Sequence, residues 1–139
     1  MKREIKFRGR CKISGTMVFG DLIRGVGTKN GKVFILPDNR NLAYVKHCDP
    51  LDGVEVIPES VGQFVGAKDI NGKDIWEHDI MAIDLGQDGI DYQPIQFING
   101  GFFMGTNNLE NIKVELDYWG DRIYVAGNIQ DNPELINQH

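Results

Sequence analysis

The sequence predicts a mainly β protein, and three observations carry that expectation. Gly is abundant, at 17 residues against 5 Pro, a balance that suits many tight turns. The dipeptide Asn-Gly recurs at Asn30-Gly31, Asn71-Gly72 and Asn99-Gly100. It is the strongest local signal for a two-residue hairpin, because a type I′ turn needs φ > 0 at both centre residues. Between these turns the apolar runs are short and alternate with polar residues, the period of a half-buried strand.

In chain order, Lys2 to Ile13 alternates: Ile5, Phe7, Cys11 and Ile13 on one side, and Lys2, Glu4, Lys6, Arg8, Arg10 and Lys12 on the other. A strand with one buried and one charged face is expected. Ser14-Gly15 turns the chain into a second strand, Thr16 to Ile23. A hairpin about Asn30-Gly31 leads into Val33–Leu36. Leu42 to Lys46 reads as a short strand, and Val54–Ile57 as another, stopped by Pro58. A boundary at Pro58-Glu59-Ser60 would divide a β-rich part, 1–60, from a second part, 61–139. The second part is organised about the Asn71-Gly72 hairpin. Strands follow at Asp79–Leu85, Pro94–Ile98, Phe102–Gly105, Leu109–Asp117 and Arg122–Ile129. Pro133 then opens a helical turn that Asp131 or Asn132 can cap. Strands at such regular spacing imply a small barrel or sandwich.

A chain of 139 residues suits one domain or two small ones. A hydrophobic content of 41% with 25% charged residues excludes a disordered chain. No apolar run approaches spanning length, and the charged start, Met1 to Lys6, is not a signal peptide. Cys11 and Cys48 are therefore expected as free thiols in a reducing cytoplasm. The net charge is −5, unevenly spread. Residues 1–12 hold six Lys or Arg against one acid, Glu4, a net +5 that leaves −10 for the remainder. The acidic body argues against a general nucleic-acid binder, and the basic end leaves a local contact open.

Several ordered blocks carry a resemblance. They include Arg3 to Gly9, Met17 to Ile23, Phe34 to Pro37, Glu55 to Glu59 and Val61 to Phe64. Lys68 to Ile75, Glu77 to Ile80, Gln96 to Gly100 and Gly127 to Leu135 follow. With these the chain resembles the YopX family, small proteins of bacteriophages and prophages, chiefly of Gram-positive bacteria. The resemblance implies a β-rich fold whose C-terminal part is like an SH3-type barrel. It implies no activity, since the family offers no established catalytic or binding residues to carry over. One departure stands out: the family usually has Gly between the acids that are Glu77 and Asp79 here, and this chain has His78. A Gly there implies φ > 0, a region His tolerates better than most residues.

Each candidate for chemistry has a plainer reading. His78 between two carboxylates suits a general base, but nothing completes a triad. His47-Cys48-Asp49 offers zinc-ligand types without ligand spacing. Asp84, Asp88 and Asp91 do not match a calcium loop. Gly25-Val26-Gly27 and Gly100-Gly101 precede no helix, so neither is a phosphate loop. No catalytic residue, metal or cofactor is expected. The expectation is a non-enzymatic accessory protein, a protein-interaction module that also self-associates into a homo-oligomer. Its candidate contact residues are Lys2, Lys6, Arg8, Arg10, Trp76 and Trp119. The alternative is a nucleic-acid-binding factor that uses the basic N-terminal strand.

Overall fold

The computed structural model describes residues 4–38, 48–49, 53–98, 100–105, 107–108 and 122–136. Their strands are β1 (Phe7–Arg10), β2 (Met17–Arg24), β3 (Val33–Pro37), β4 (Cys48–Asp49), β5 (Gly53–Val56) and β6 (Gly62–Lys68). β7 (Asp74–Trp76), β8 (Asp79–Asp84), β9 (Ile90–Ile98), β10 (Gly101–Met104), β11 (Asn107–Asn108) and β12 (Ile123–Asn128) follow. The expected mainly β class is observed, and among the described residues helix is limited to single 3-10 turns. The expected strands at Leu42–Lys46 and Leu109–Asp117 lie outside the described residues.

Two compact units divide the chain between Phe64 and Val65. The division falls inside β6, which pairs with β1 in the first unit and runs on to β7 in the second. The hydrogen-bonded order is β4-β5-β3-β2-β1-β6-β7, and the β1–β2, β1–β6, β2–β3, β3–β5 and β4–β5 ladders are antiparallel. The core of the first unit gathers Cys11, Ile35, Val54 and Val56, with Phe7, Val18, Leu22, Val33 and Val61 against them. Pro58 ends β5 as expected and opens a 3-10 turn to Ser60. The Ser60 hydroxyl then accepts the Arg10 N–H (2.8 Å) and donates to the Ile57 carbonyl (2.6 Å), tying this turn to β1.

The second unit holds a five-stranded antiparallel sheet, β11-β10-β9-β8-β12. Its core is Ile75, Met81, Ile95, Met104 and Ile123. Among the described residues these ladders do not close, so the SH3-like barrel is not what they show. β9 begins four residues before Pro94, where the expected strand started. Pro94 is tolerated inside it because its side of the strand faces Gly105, whose N–H reaches the Pro94 carbonyl (3.1 Å) just past the end of β10. The missing proline N–H therefore removes no ladder bond within β10.

The charged face expected of the first strand is not built. β1 is only four residues long and is paired on both edges, to β2 and β6. Ile5 and Ile13 lie beyond it and are 64% and 73% exposed, while Arg8 is buried at 9%. Period two fixes sides only within a strand, and this strand ends before the pattern does.

The Asn-Gly turns stand where expected but differ in kind. Asn30 has φ −59° and ψ 136°, with Gly31 at φ 85°. That is type II geometry, and Lys32 N–H closes it on the Lys29 carbonyl (3.1 Å). At Asn71-Gly72 only Gly72 has positive φ, 77°. Gly72 N–H reaches the Asp69 carbonyl (3.0 Å), and Asp69 N–H the Lys73 carbonyl (2.8 Å). This is a type I turn closed by a glycine bulge rather than type I′. Ile98 pairs with Gly101 across the third turn, where Gly100 has φ 82° and Asn99 lies outside the described residues.

Candidate functional site

Three of the blocks that carried the resemblance, Lys68 to Ile75, Glu77 to Ile80 and Gly127 to Leu135, lie in the second unit, where their side chains bind backbone rather than form a reaction centre. Asp69 is the first post. It is 7% exposed, and its Oδ1 accepts the N–H groups of Asn71 and Lys73, both at 2.9 Å. Its Oδ2 accepts the N–H of Val125 on β12, also at 2.9 Å. One carboxylate thus shapes the turn and pins it to a distant strand. Capture of two turn N–H groups keeps Asn71 out of the left-handed region, which is why type I′ does not form. Outside this knot, Lys68 and Asp74 pair across the hairpin at 3.4 Å.

The second post is the turn from Trp76 to Asp79. Asp79 is buried, and its Oδ2 accepts the Trp76 N–H at 2.8 Å. His78 has φ 75°, and it is the only non-glycine with positive φ among the described residues. Its N–H donates to the Ile95 carbonyl (2.8 Å), and its carbonyl accepts the Ile129 N–H (2.9 Å). The turn is held by β9 on one side and by the chain after β12 on the other. Its imidazole Nε2 lies 3.8 Å from Glu77 Oε2. The left-handed backbone expected from the Gly-to-His departure is therefore present.

His78→Gly is expected to raise stability by up to about 1 kcal/mol. Left-handed strain of order 1 kcal/mol is relieved, against a smaller entropic cost of glycine. His78→Val is expected to lose about 1–3 kcal/mol, because a β-branched residue is an outlier at positive φ. Urea midpoints in the order Gly, His, Val check this; a Val variant equal to wild type would refute it.

The third post is Gly127 to Pro133. Asn128 Oδ1 accepts the N–H groups of Gln130 (3.1 Å) and Asp131 (2.9 Å), and its Nδ2 donates to Asp131 Oδ2 (3.0 Å). The expected cap is only half realised. Asn132 precedes the 3-10 turn Pro133–Leu135, but its side chain makes no cap bond there. Its Oδ1 accepts the Asn128 N–H instead (3.3 Å). A Cβ on Gly127 would collide with the Asn132 amide, so glycine is required for that close approach.

The other candidates are dispersed. Lys6 sits 3.6 Å from Glu4 and stacks over the Phe64 ring at 4.7 Å. Arg10 Nη1 donates to the Gly15 carbonyl (2.9 Å), and Lys12 pairs with Glu55 at 3.1 Å. Trp76, a candidate contact residue, is buried and belongs to the interior. Lys2, Trp119 and His47 lie outside the described residues. Asp84 accepts the Gly86 N–H (2.9 Å) and shapes its turn, and Asp91, on β9, accepts the Gln93 side-chain amide (3.0 Å). Among the described residues no group of three His, Cys, Asp or Glu is placed to hold a metal ion. No helix among them is long and apolar enough to cross a membrane.

One surface was missed by sequence reasoning. Phe97 is 55% exposed and Ile98 39% exposed at the tip of the β9–β10 hairpin. Phe97 pairs in register with Phe102, and their rings meet edge to face, centroids 5.2 Å apart. Phe97 shares a strand face with Ile95, which is fully buried. The hairpin thus runs out past the core it helps to build. The one available signal was the dense run Phe97, Ile98, Phe102, Phe103 around a glycine turn.

A search of curated proteins finds no match. Among solved structures, the crystal structure of protein EF1440 from Enterococcus faecalis is similar over 97% of this chain and 99% of that one. The TM-score is 0.61 and the identity 22%. That likeness concerns the fold. The YopX protein family matches residues 6–137, nearly the whole chain and all three posts, and on that match the chain belongs to the YopX family.

Proposed function

We propose that this YopX-family chain is a non-enzymatic binding protein, a protein-interaction module that docks through the tip of its β9–β10 hairpin. The observation that carries the reading is the pair of exposed apolar residues at the tip, Phe97 and Ile98, with the Phe97 ring set edge to face against the half-buried Phe102. Aromatic anchors of this kind dominate protein interfaces. From Ile90 to Met104 the sequence holds a single charged residue, Asp91, in a chain that is 25% charged. Depletion of charge around aromatic anchors is the composition of an interface centre. Of the two carboxylates beside His78, the general-base candidate, Asp79 is occupied by the Trp76 N–H. The phage or prophage setting and the cytoplasmic location rest on the resemblance and the composition.

The nucleic-acid alternative has weaker support. Arg8 is buried, and Lys6, Arg10 and Lys12 each contact groups of the chain itself. Few of the cations counted from sequence are left to approach phosphate.

The test is a photo-crosslinking amino acid at position 97, in cells carrying the protein at its natural level. Crosslinks to one protein species, a second copy or another protein, are expected, and Phe97→Ser should weaken that complex at least tenfold. Its urea midpoint should stay within about 0.5 kcal/mol of wild type, as for other surface changes. Crosslinks confined to nucleic acid, or binding that Phe97→Ser leaves intact, would overturn the reading.

A further inference from the structure

The dipeptides Asn30-Gly31 and Asn71-Gly72 share a sequence but sit in different settings. All four residues are exposed, so access of solvent does not distinguish them. Their hydrogen bonds differ. At the second turn the Gly72 N–H donates to the Asp69 carbonyl (3.0 Å), and the Asp69 N–H closes back on the Lys73 carbonyl (2.8 Å). Asp69 Oδ1 also holds the N–H groups of Asn71 and Lys73, both at 2.9 Å. At the first turn the Asn30 N–H donates to the Gly27 carbonyl and the Lys32 N–H to the Lys29 carbonyl, both at 3.1 Å. Among the described residues nothing accepts the Gly31 N–H. The hydrogen bond of a type II turn joins its outer residues and leaves this central N–H to solvent. Glycine adds no Cβ to shield it.

We propose that Asn30-Gly31 is a self-modifying site, where the folded chain converts its own asparagine to an isoaspartyl or aspartyl residue, and that Asp69 protects Asn71-Gly72 from the same reaction. The Gly31 amide nitrogen loses its proton to solvent and attacks Asn30 Cγ. An N–Cγ bond forms, the Cγ–Nδ2 bond breaks, and Nδ2 leaves as ammonia with a proton from solvent. Water then opens the resulting five-membered imide at one of its two carbonyls. Opening at Cγ gives an aspartyl residue, and opening at the main-chain carbonyl gives an isoaspartyl linkage. One water is consumed and one ammonia released, with no change of oxidation state. To reach Cγ the nitrogen must swing about the Asn30 Cα–C′ bond, away from the observed ψ of 136°. At Asn30 this opens the Lys32-to-Lys29 bond and pulls on the bond from the Gly25 N–H to the Lys32 carbonyl (2.8 Å). At Asn71 it must break the Gly72 and Lys73 bonds to Asp69 and the return bond from Asp69 to Lys73. Local opening therefore costs less at Asn30. The product adds a negative charge to a loop, Gly25 to Lys32, whose charged side chains are Lys29 and Lys32. The isoaspartyl form also lengthens the main chain inside the turn.

The experiment incubates the full chain at mildly alkaline pH, once in native buffer and once in guanidinium chloride. Digestion at mildly acidic pH and mass spectrometry then follow, peptide by peptide, the mass gained when NH is exchanged for O. The unfolded chain supplies the reference rate for each dipeptide, so the effect of neighbouring residues cancels. Folding is expected to slow the reaction at Asn71 at least tenfold and at Asn30 less than threefold. Asn30→Gln should abolish the product in its own peptide. Asp69→Ala in native buffer should speed the reaction at Asn71 at least threefold and leave Asn30 unchanged. Protection of Asn30 by folding equal to or greater than that of Asn71, or an Asn71 rate that Asp69→Ala does not raise, would overturn the proposal.

Discussion

Asp69→Ala is expected to destabilise the protein by about 3 kcal/mol. Hydrogen bonds to a charged group each contribute about 1.5–3 kcal/mol net. Asp69 accepts three, from Asn71, Lys73 and Val125. The two turn donors lie on exposed residues and can turn to water, so the full sum is not expected. The Val125 donor lies on a half-buried strand residue, where rehydration is harder. Asp69→Asn separates the contributions. An amide oxygen can keep both turn donors, while its NH₂ then faces the Val125 N–H, donor against donor. About half the loss is expected for Asn. Urea unfolding gives the stabilities, and amide exchange at Val125 locates the damage. A loss under about 1 kcal/mol for the alanine variant would show that the carboxylate is dispensable.

Ile95→Ala is expected to cost about 3–4 kcal/mol, within the range for deleting a large buried aliphatic side chain. Ile95 is fully buried on a strand paired on both sides, among Ile75, Met81, Met104 and Ile123. The cavity has little chance to collapse between two ladders. Two residues along the same strand face, the Phe97→Ser change made to test docking should cost almost nothing. The contrast is measured by urea midpoints of the two variants side by side. Similar losses at both positions would mean that the hairpin tip is core, and the docking surface would lose its basis.

Strands and turn positions were legible in the sequence because alternation and Asn-Gly are local signals. β2, β3, β5, β8 and β12 lie within a residue or two of their expected bounds. Turn type was not legible. It depends on which side chain captures the turn N–H groups, and at Asn71 that is Asp69, whose role also involves Val125 far along the chain. The His78 backbone was legible only because a family pattern placed Gly there. Arg8 was misread because alternation does not say where a strand stops. Phe97 was missed for the related reason that it does not say where a core ends along a strand.

The bond between Asp69 and Val125 also has a place in time. Its partners are 56 residues apart in sequence, whereas the β8–β9 and β9–β10 ladders join consecutive strands. Closing a long loop carries an entropic cost that short hairpins avoid, so distant pairings tend to form late. The Asp69 clasp should then be absent at the rate-limiting barrier and act as a latch on the finished fold. Asp69→Asn is expected to speed unfolding by the full measure of its destabilisation and to leave the folding rate within about twofold. Stopped-flow urea jumps read both limbs, and a folding rate that fell as far as unfolding rose would put the clasp in the nucleus. A latch of this kind governs how long the native state persists rather than how quickly it is reached.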